Sequence, residues 1–127
     1  MKTGVKKFKA FIDSRGSLVP VEFKDLAFVP KRLFYVTDVP NGCRRGDHSH
    51  YKTEQILICI KGKIGVDLNG DYFILKENEY IYVGKEVWDA QSFLTGEDIL
   101  LVLCSTNYDK NDYINNRGNR AGRILSG

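Results

Sequence analysis

Short runs of hydrophobic residues, alternating with polar positions, fill almost the whole chain. The runs are rich in β-branched and aromatic residues and are separated by Gly, Asn, Asp and Pro, a pattern that is typical of strands. No stretch longer than about ten residues repeats its hydrophobic positions with the period of a helix. The pattern predicts strands over residues 5–12, 17–23, 32–38, 48–51, 55–61, 63–68, 71–76, 80–83, 87–93 and 98–105.

Turn-forming residues separate these predicted strands at short intervals. Asp13 to Gly16 predicts a tight polar turn, and Gly62 joins two apolar runs. Asn69 and Gly70 predict a hairpin with a type I′ turn, because both residue types tolerate positive φ angles. Residues 109–116 predict a single helical turn. Many short strands at regular spacing indicate a sandwich or a barrel, so we expect an all-β fold.

Length and composition predict one globular domain over residues 1–127. Hydrophobic residues make up 43% and charged residues 28% of the 127 positions, which is an ordinary balance for a single domain. We expect the basic, glycine-rich residues 116–127 to form a loosely held tail. No apolar run approaches the roughly 20 residues of a membrane helix, and the N-terminus lacks the apolar segment of a signal peptide. The sequence therefore predicts a cytoplasmic protein without a membrane partner.

Charge and cysteine content narrow the class of protein further. The net charge of +3 is too small to indicate nucleic-acid binding, but it suits an anionic small substrate. Cys43, Cys59 and Cys104 are scattered and odd in number, which argues against a disulfide framework and against a thiolate zinc site. Cys59 and Cys104 lie within apolar runs, so we expect them in the core.

The segment RRGDHSH, residues 44–50, holds both histidines of the chain. Side chains of a strand alternate between its faces, so His48 and His50 are expected to point the same way. Two adjacent imidazoles can bind a metal ion or transfer protons near neutral pH. The arginines that precede them suit an anion clamp beside a proton-transfer group. The alternative is a pair of surface histidines without a function.

Two segments resemble the motifs of the cupins. HSHYKTEQILICIKG resembles the first motif, in which Gly and HxH precede an acidic or amide residue and a second Gly; Gln55 or Glu54 takes the acidic position. YIYVGKEVWD resembles the second motif, where metal-binding cupins place a last histidine, and Asp89 occupies that position here. The resemblance implies a single-domain cupin jelly-roll β-barrel.

The histidine content distinguishes two kinds of cupin. A metal-binding cupin usually offers three histidines, and this chain has two. We therefore expect a metal-independent protein that uses no cofactor. Two histidines with Asp89 would still suit non-haem iron, so a metal-dependent dioxygenase is an alternative.

Most of the chain, from about Lys9 to Ile114, resembles the cupin-type sugar 3,4-ketoisomerases that act on dTDP-4-keto-6-deoxyglucose. The resemblance lies in DSRGSLVPVEF, PKRLFYVTDVPNGCRRGDHSH, EQILICIKGKIGVDL, YVGKEVWD and LVLCSTNYDKNDYI. It implies an isomerase of deoxyamino-sugar biosynthesis that moves the ketone from C4 to C3 by acid–base enediol chemistry. RGDHSH also resembles the RGxHxQ element of the dTDP-sugar 3,5-epimerases, so an epimerase is an alternative. A non-catalytic cupin that binds a nucleotide sugar is another.

The resemblance assigns roles to the residues around HxH. It implies that His48 and His50 transfer protons, with His48 as the base. Arg45 matches the arginine of the epimerases, whereas Arg44 has the strand parity of the histidines. Both are candidates for binding the diphosphate, and Arg45 is preferred if strand pairing is irregular at Gly46.

The remaining candidates surround this centre. We expect Arg15 to approach the diphosphate from the N-terminal strand. Tyr35 and Trp88 are candidates for contacts with thymine or the sugar, or for the core. Gln55 is a candidate for a hydrogen bond to a sugar hydroxyl, or for a structural bond. The expected partner chain is a second copy, in a homodimer that exchanges the N-terminal strand, residues 5–12, because an unpaired edge invites pairing.

Overall fold

The computed structural model describes residues 4–115 as an all-β fold. Its single-turn 3₁₀ helices lie at Phe23–Asp25 and Lys110–Asp112. No helix among these residues has the length and apolar character needed to cross a membrane. The strands are β1 (Lys6–Lys7), β2 (Phe11–Asp13), β3 (Gly16–Leu18), β4 (Arg32–Val36), β5 (Arg44–His50), β6 (Gln55–Lys61), β7 (Ile64–Leu68), β8 (Asp71–Leu75), β9 (Glu79–Val83), β10 (Asp89–Phe93), β11 (Ile99–Cys104) and β12 (Tyr113–Ile114).

Two five-stranded antiparallel sheets form the body of the molecule. One has the order β1-β9-β6-β11-β4 and the other the order β12-β5-β10-β7-β8, and β2 and β3 form a separate hairpin. From β4 to β12, successive strands thus lie in opposite sheets, except for the β7–β8 hairpin, as expected for the jelly roll of a cupin. The first sheet is called the β6 sheet below and the second the β5 sheet.

The main core lies between the two sheets. Leu57 and Val102 of the β6 sheet pack with Val66 and Phe93 of the β5 sheet, and each is at most 2% exposed. Cys59 and Cys104 are buried free thiols in the same core, as the sequence predicts. Alternate residues of β6 and β11 face away from it and form a second cluster around Ile56, Ile58 and Leu103. Residues from Phe8 to Phe28 cover that cluster.

The predicted elements are largely present, but several boundaries are wrong. The strand expected over 5–12 is divided between β1 and β2, and the strand expected over 17–23 ends at Leu18. Strand β5 begins at Arg44, not at His48, because pairing with β10 makes a strand of a polar segment that has no hydrophobic alternation. Residues 109–116 contribute a 3₁₀ turn, as expected, and then the short strand β12. The expected tail at 116–127 lies outside the described residues.

The hairpin at Asn69 and Gly70 has the predicted turn. Asn69 has φ 51° and Gly70 has φ 97°, which are the two positive values that a type I′ turn requires. The Asn69 amide N–H donates to the Trp88 carbonyl over 2.8 Å, and Asn69 Oδ1 accepts from the Trp88 N–H over 2.9 Å. The turn thereby also fixes the start of β10, the strand beside the histidines.

Candidate active site

A polar cavity of about 280 Å³ opens between the two sheets at the histidine end of β5. Its apolar wall includes Phe34 and Val36 of β4, with Leu57 of β6 and Val102 of β11. Its polar side chains come from five different strands: Arg32, Arg45, His48, Gln55, Gln91 and Tyr113. A concave site with an apolar body and a few convergent polar groups is typical of a small-molecule site.

A β-bulge at Asp47 arranges the cationic side of the cavity. His48 pairs with Asp89 of β10, but the next pair joins Gly46 with Ala90, so that Asp47 has no opposite residue. Asp47 has φ 61° and Gly46 has φ 84°. Because the bulge shifts the alternation by one residue, Arg45 shares the inner face with His48. Arg45 accordingly lines the cavity.

The two histidines point to the same face of β5, and the ring of a tyrosine packs against both. The imidazole centroids of His48 and His50 are 5.0 Å apart. Tyr113 is opposite His50 in the β5–β12 register, and its ring centroid lies 5.0 Å from that of His48 and 4.5 Å from that of His50. His48 and Tyr113 line the cavity, whereas His50 is 5% exposed and lies behind them.

Burial keeps both imidazoles neutral at pH 7. Desolvation lowers the pKa of His48 below 6.5, against the attraction of the Asp47 carboxylate. Desolvation and repulsion from His48 lower the pKa of His50 to about 4, against the attraction of Asp112. A neutral imidazole can accept a proton, so either histidine is in the form that a general base requires.

Arg44 and Arg15 do not reach this cavity. Arg44 faces the opposite side of the β5 sheet, where its Nε donates to Asp47 Oδ2 over 2.9 Å and its Nη2 lies 3.9 Å from Asp67 Oδ2. Arg15 is in the turn of the exposed β2–β3 hairpin and forms a 2.7 Å ion pair with Asp13. Of the three arginines expected at the diphosphate, the fold brings Arg45 into the cavity.

Tyr35 and Trp88 also lie elsewhere. Tyr35 is 68% exposed on the outer face of β4, because Arg32, Phe34 and Val36 take the inner positions. Trp88 is buried, and its Nε1 donates to Asp47 Oδ1 over 3.3 Å. Trp88 thus packs beneath the bulge, on the side of the sheet away from the cavity.

Gln55 faces the cavity, and Glu54 does not. Gln55 is 4% exposed, lines the cavity, and donates through Nε2 to Cys104 Sγ over 3.5 Å. Glu54 Oε1 accepts from the Tyr82 hydroxyl over 2.6 Å on the outer face. Among residues 4–115, no three His, Cys, Asp or Glu side chains converge on one point. Of the two candidates for the acidic position of the cupin motif, Gln55 is the one that lines the cavity.

Sequence reasoning missed Arg32, Gln91 and Tyr113 as cavity residues. Arg32 belongs to the PKRLFYV segment of the resemblance, which assigned it no role, and the β4–β11 register places it at the cavity. Tyr113 belongs to the YDKNDYI segment, which the resemblance singled out without assigning it a role. Asp112 of that segment is 5% exposed and accepts from the backbone N–H groups of Lys52 and Thr53 and from the Thr53 hydroxyl. These bonds hold β12 beside the histidines.

Comparison with known proteins places the chain in one family. The family described as FdtA: WxcM-like, C-terminal matches residues 1–121. TDP-4-oxo-6-deoxy-alpha-D-glucose-3,4-oxoisomerase of Aneurinibacillus thermoaerophilus is 39% identical over 121 residues, covering 90% of this chain and 86% of that enzyme.

Solved structures agree with this placement. The 3,4-ketoisomerase QdtA from Thermoanaerobacterium thermosaccharolyticum, in complex with TDP, matches with a TM-score of 0.79 at 39% identity. That match covers 91% of this chain and 88% of QdtA. A 3,4-ketoisomerase from Helicobacter canadensis matches with a TM-score of 0.86 at 33% identity, over 94% of each chain.

Proposed function

The chain belongs to the FdtA, WxcM-like family, and from that premise we propose that it is a sugar-nucleotide 3,4-ketoisomerase. We take its substrate to be dTDP-4-keto-6-deoxy-D-glucose and its product a dTDP-3-keto-6-deoxyhexose for deoxyamino-sugar biosynthesis. The observation that carries the proposal is one cavity that holds the neutral His48 imidazole and the Arg45 guanidinium on the same wall. Proton transfer on an anionic sugar nucleotide needs a base beside a cation that binds the phosphates.

The reaction moves a proton and the electron pair of a C–H bond, without net oxidation. The C4 carbonyl acidifies the hydrogen at C3, and a base removes that hydrogen as a proton. The electron pair of the broken bond forms the C3–C4 double bond of an enediol, with negative charge on the former carbonyl oxygen. The proton taken from C3 is then delivered to C4, and the O3 proton passes to the former carbonyl oxygen at C4, which leaves a hydroxyl at C4 and the ketone at C3. Acid–base catalysis of this kind supplies about 10²–10⁴-fold.

His48 is the base in this proposal. It lines the cavity, and burial keeps it neutral at pH 7. His50 and Tyr113 lie within 5.0 Å of the His48 ring, as measured between centroids. They form the environment in which a proton can be passed towards C4.

Other groups of the cavity suit the nucleotide. Arg45 and Arg32 supply two guanidinium groups that can pair with diphosphate oxygens. The apolar wall at Phe34 and Val36 offers a surface for the thymine ring. Gln55 and Gln91 line the same cavity and can form hydrogen bonds to sugar hydroxyls.

We also propose a homodimer built through the N-terminal segment. The β2–β3 hairpin pairs only with itself among residues 4–115 and exposes Phe11, Ile12 and Leu18. Such an exposed apolar hairpin is suited to pack on a second copy. Arg15 at its tip would then approach the cavity of the partner. The mass of the wild type and of Ile12→Asp by light scattering tests this: a dimer that becomes a monomer is expected, and a monomeric wild type refutes it.

The cytoplasm is the compartment we propose for the reaction. Cys43, Cys59 and Cys104 are all free thiols in the structure, and free thiols are typical of proteins kept in a reducing compartment. Localisation of the tagged chain by fractionation is the corresponding test.

A proton NMR time course in D₂O tests the activity directly. The purified chain is incubated with dTDP-4-keto-6-deoxyglucose without added metal. We expect the C3 proton signal to disappear while a 3-keto product accumulates, and the C4 coupling then gives the product configuration. Exchange at C5 without migration of the ketone would indicate an epimerase. An unchanged spectrum with folded protein would refute the ketoisomerase.

A further inference from the structure

Asp89 is a buried carboxyl group beside the catalytic face. It is 0% exposed at the start of β10, directly opposite His48 on β5 and Leu68 on β7. Opposite residues of antiparallel strands share a face, so Asp89 points into the interior between the sheets. Its Oδ1 accepts a hydrogen bond from Gln91 Nε2, and its Oδ2 has no hydrogen-bond partner among residues 4–115.

Gln91 connects this buried carboxyl group to the cavity. It lies two residues further along β10, opposite Arg45, and it lines the cavity at 8% exposure. Its amide is confined on a second side by Gly46, where an added Cβ would lie 2.9 Å from Gln91 Nε2 and 3.2 Å from Gln91 Oε1. Asp89 and Gly46 therefore leave the amide little freedom to turn.

An amide has two different ends, so its orientation decides what it offers a ligand. The Nε2 end donates and the Oε1 end accepts. A carboxylate at Asp89 can only accept, which requires Gln91 to turn Nε2 towards it. The Oε1 end is then left as an acceptor for the ligand.

We infer that Asp89 is a positioning residue, which holds Gln91 so that its amide oxygen accepts a hydrogen bond from a hydroxyl of the bound hexose. The inference rests on the proposed function for the identity of the sugar nucleotide. Gln91 lies directly opposite Arg45, which binds the diphosphate in this proposal, and two residues along β10 from the residue opposite His48. A hydroxyl bonded there fixes the rotation of the hexose about the bond to its phosphate. It thereby decides which ring carbon faces the base.

Burial disfavours the charge on Asp89, and the bond from Gln91 is the interaction that favours its carboxylate form. Desolvation raises the pKa of Asp89 to about 7, the bond from Gln91 opposes that rise, and the nearby Asp47 charge adds to it. A buried polar group that is not needed for packing is costly to keep. Its bond to a side chain of the cavity gives it a role there.

Binding measurements separate the sugar from the nucleotide. Calorimetry gives the dissociation constants of dTDP and of dTDP-glucose. The ratio of the two constants is the affinity that the hexose adds. We expect Asp89→Leu and Gln91→Leu each to lose about 3- to 10-fold of that added affinity, the contribution of one hydrogen bond. Asp89→Asn should lose less, because its amide oxygen can still accept from Gln91. The affinity for dTDP itself should stay within about 2-fold.

The double variant tests whether Asp89 acts through Gln91. If it does, Asp89→Leu adds nothing further in a chain that already carries Gln91→Leu, because the oriented group is gone. Ser49→Ala is the matched control, since Ser49 Oγ is also buried without a partner among residues 4–115. It lies on the opposite face of β5, so the substitution should change neither affinity.

Three results would overturn the inference. They are an unchanged sugar contribution in Asp89→Leu, an equal loss for dTDP alone, and additive losses in the double variant. Gln91→Leu probes the same bond from the cavity side if an Asp89 variant does not fold. A wild type that binds dTDP-glucose with this pattern but gives no NMR turnover would refute the proposed function and leave the role of Asp89 standing.

Discussion

Arg45 and His48 face the same cavity although three positions separate them on β5. An unbroken strand would place them on opposite faces. The extra residue of the bulge at Asp47 shifts the alternation by one position, so that both side chains face the cavity. Arg44, which has the parity of His48 by simple counting, instead pairs with Asp47 on the outer side. The bulge thus decides which of two adjacent arginines can meet a ligand.

Arg45→Ala and Arg44→Ala form a matched pair that tests this assignment. We expect Arg45→Ala to weaken dTDP binding by about 10- to 100-fold, since a charge-assisted bond to an anion contributes about 1.5–3 kcal/mol. Arg44→Ala removes a half-exposed ion pair and should change binding by less than about 3-fold. Calorimetry with dTDP measures both. An equal loss in the two variants would contradict the geometry.

The two histidines should differ in what they contribute to turnover. His48→Asn removes the imidazole that lines the cavity, so we expect turnover to fall by at least about 10²-fold with dTDP binding retained. His50→Asn removes the imidazole behind it, and we expect a smaller fall. The measurement is the initial rate of ketone migration together with the dissociation constant for dTDP. A His48→Asn variant with the turnover of the wild type would exclude His48 as the base.

The acid-side loss of kcat/KM should occur at a low pH. Burial lowers the pKa of His48 below 6.5 and that of His50 to about 4, so both imidazoles become protonated at a lower pH than a solvated imidazole. A base is lost when it is protonated, so activity should fall as the pH decreases through these lowered values. We therefore expect half of the acid-side loss of kcat/KM to occur below pH 6.5. A limb centred at or above pH 6.5 would show that the base is a solvated imidazole.

Most of the fold could be predicted from the sequence, because alternation and turn residues are local signals. The hydrophobic alternation along β6 places Ile56 and Ile58 on one packed face, and Asn69-Gly70 predicts its own turn. Strand β5 is different, because its polar residues carry no alternation. It becomes a strand through pairing with β10 and β12, a tertiary effect that overrides local pattern.

The site could be predicted only in part, for related reasons. The alternation of side chains along a strand correctly places His48 and His50 on one face. The same counting fails for the residues before the bulge, and no sequence motif marks where the bulge occurs. Tyr35 is of a residue type that is suited to stacking, yet the β4–β11 register places its side chain on the outer face. Gln91 and Arg32 lie in ordinary strand sequence, and only the packing of the two sheets brings them to one cavity. Sequence spacing cannot report such contacts.

Asp112 should contribute more to the free energy of unfolding than Asp109, the other aspartate of the YDKNDYI segment. It accepts two backbone N–H bonds and a hydroxyl bond while buried, so Asp112→Ala leaves buried donors unpaired. We expect a loss of about 2–4 kcal/mol in the free energy of unfolding. Asp109→Ala removes an exposed 2.9 Å cap on Asn111 and should cost about 1 kcal/mol. Urea unfolding of both variants makes the comparison, and similar losses would argue against Asp112 as the tie that holds β12.

Asp89 should lower the stability of the protein as the pH rises towards 7. Its folded pKa of about 7 lies above the ordinary 3.8, so the folded state binds more protons than the unfolded state between these values. Its stabilising contribution is therefore complete below about pH 4 and is lost as the pH rises through 7. Asp89→Asn removes this titration while His50, whose lowered pKa acts in the opposite direction, remains in both proteins. We expect the Tm of Asp89→Asn, relative to the wild type, to rise by several degrees between pH 5 and pH 8. The Tm of Ser49→Ala relative to the wild type should not change with pH. A pH-independent difference for Asp89→Asn would mean that Asp89 is ionised throughout this range, held so by a cation or donor that reaches its Oδ2 in solution.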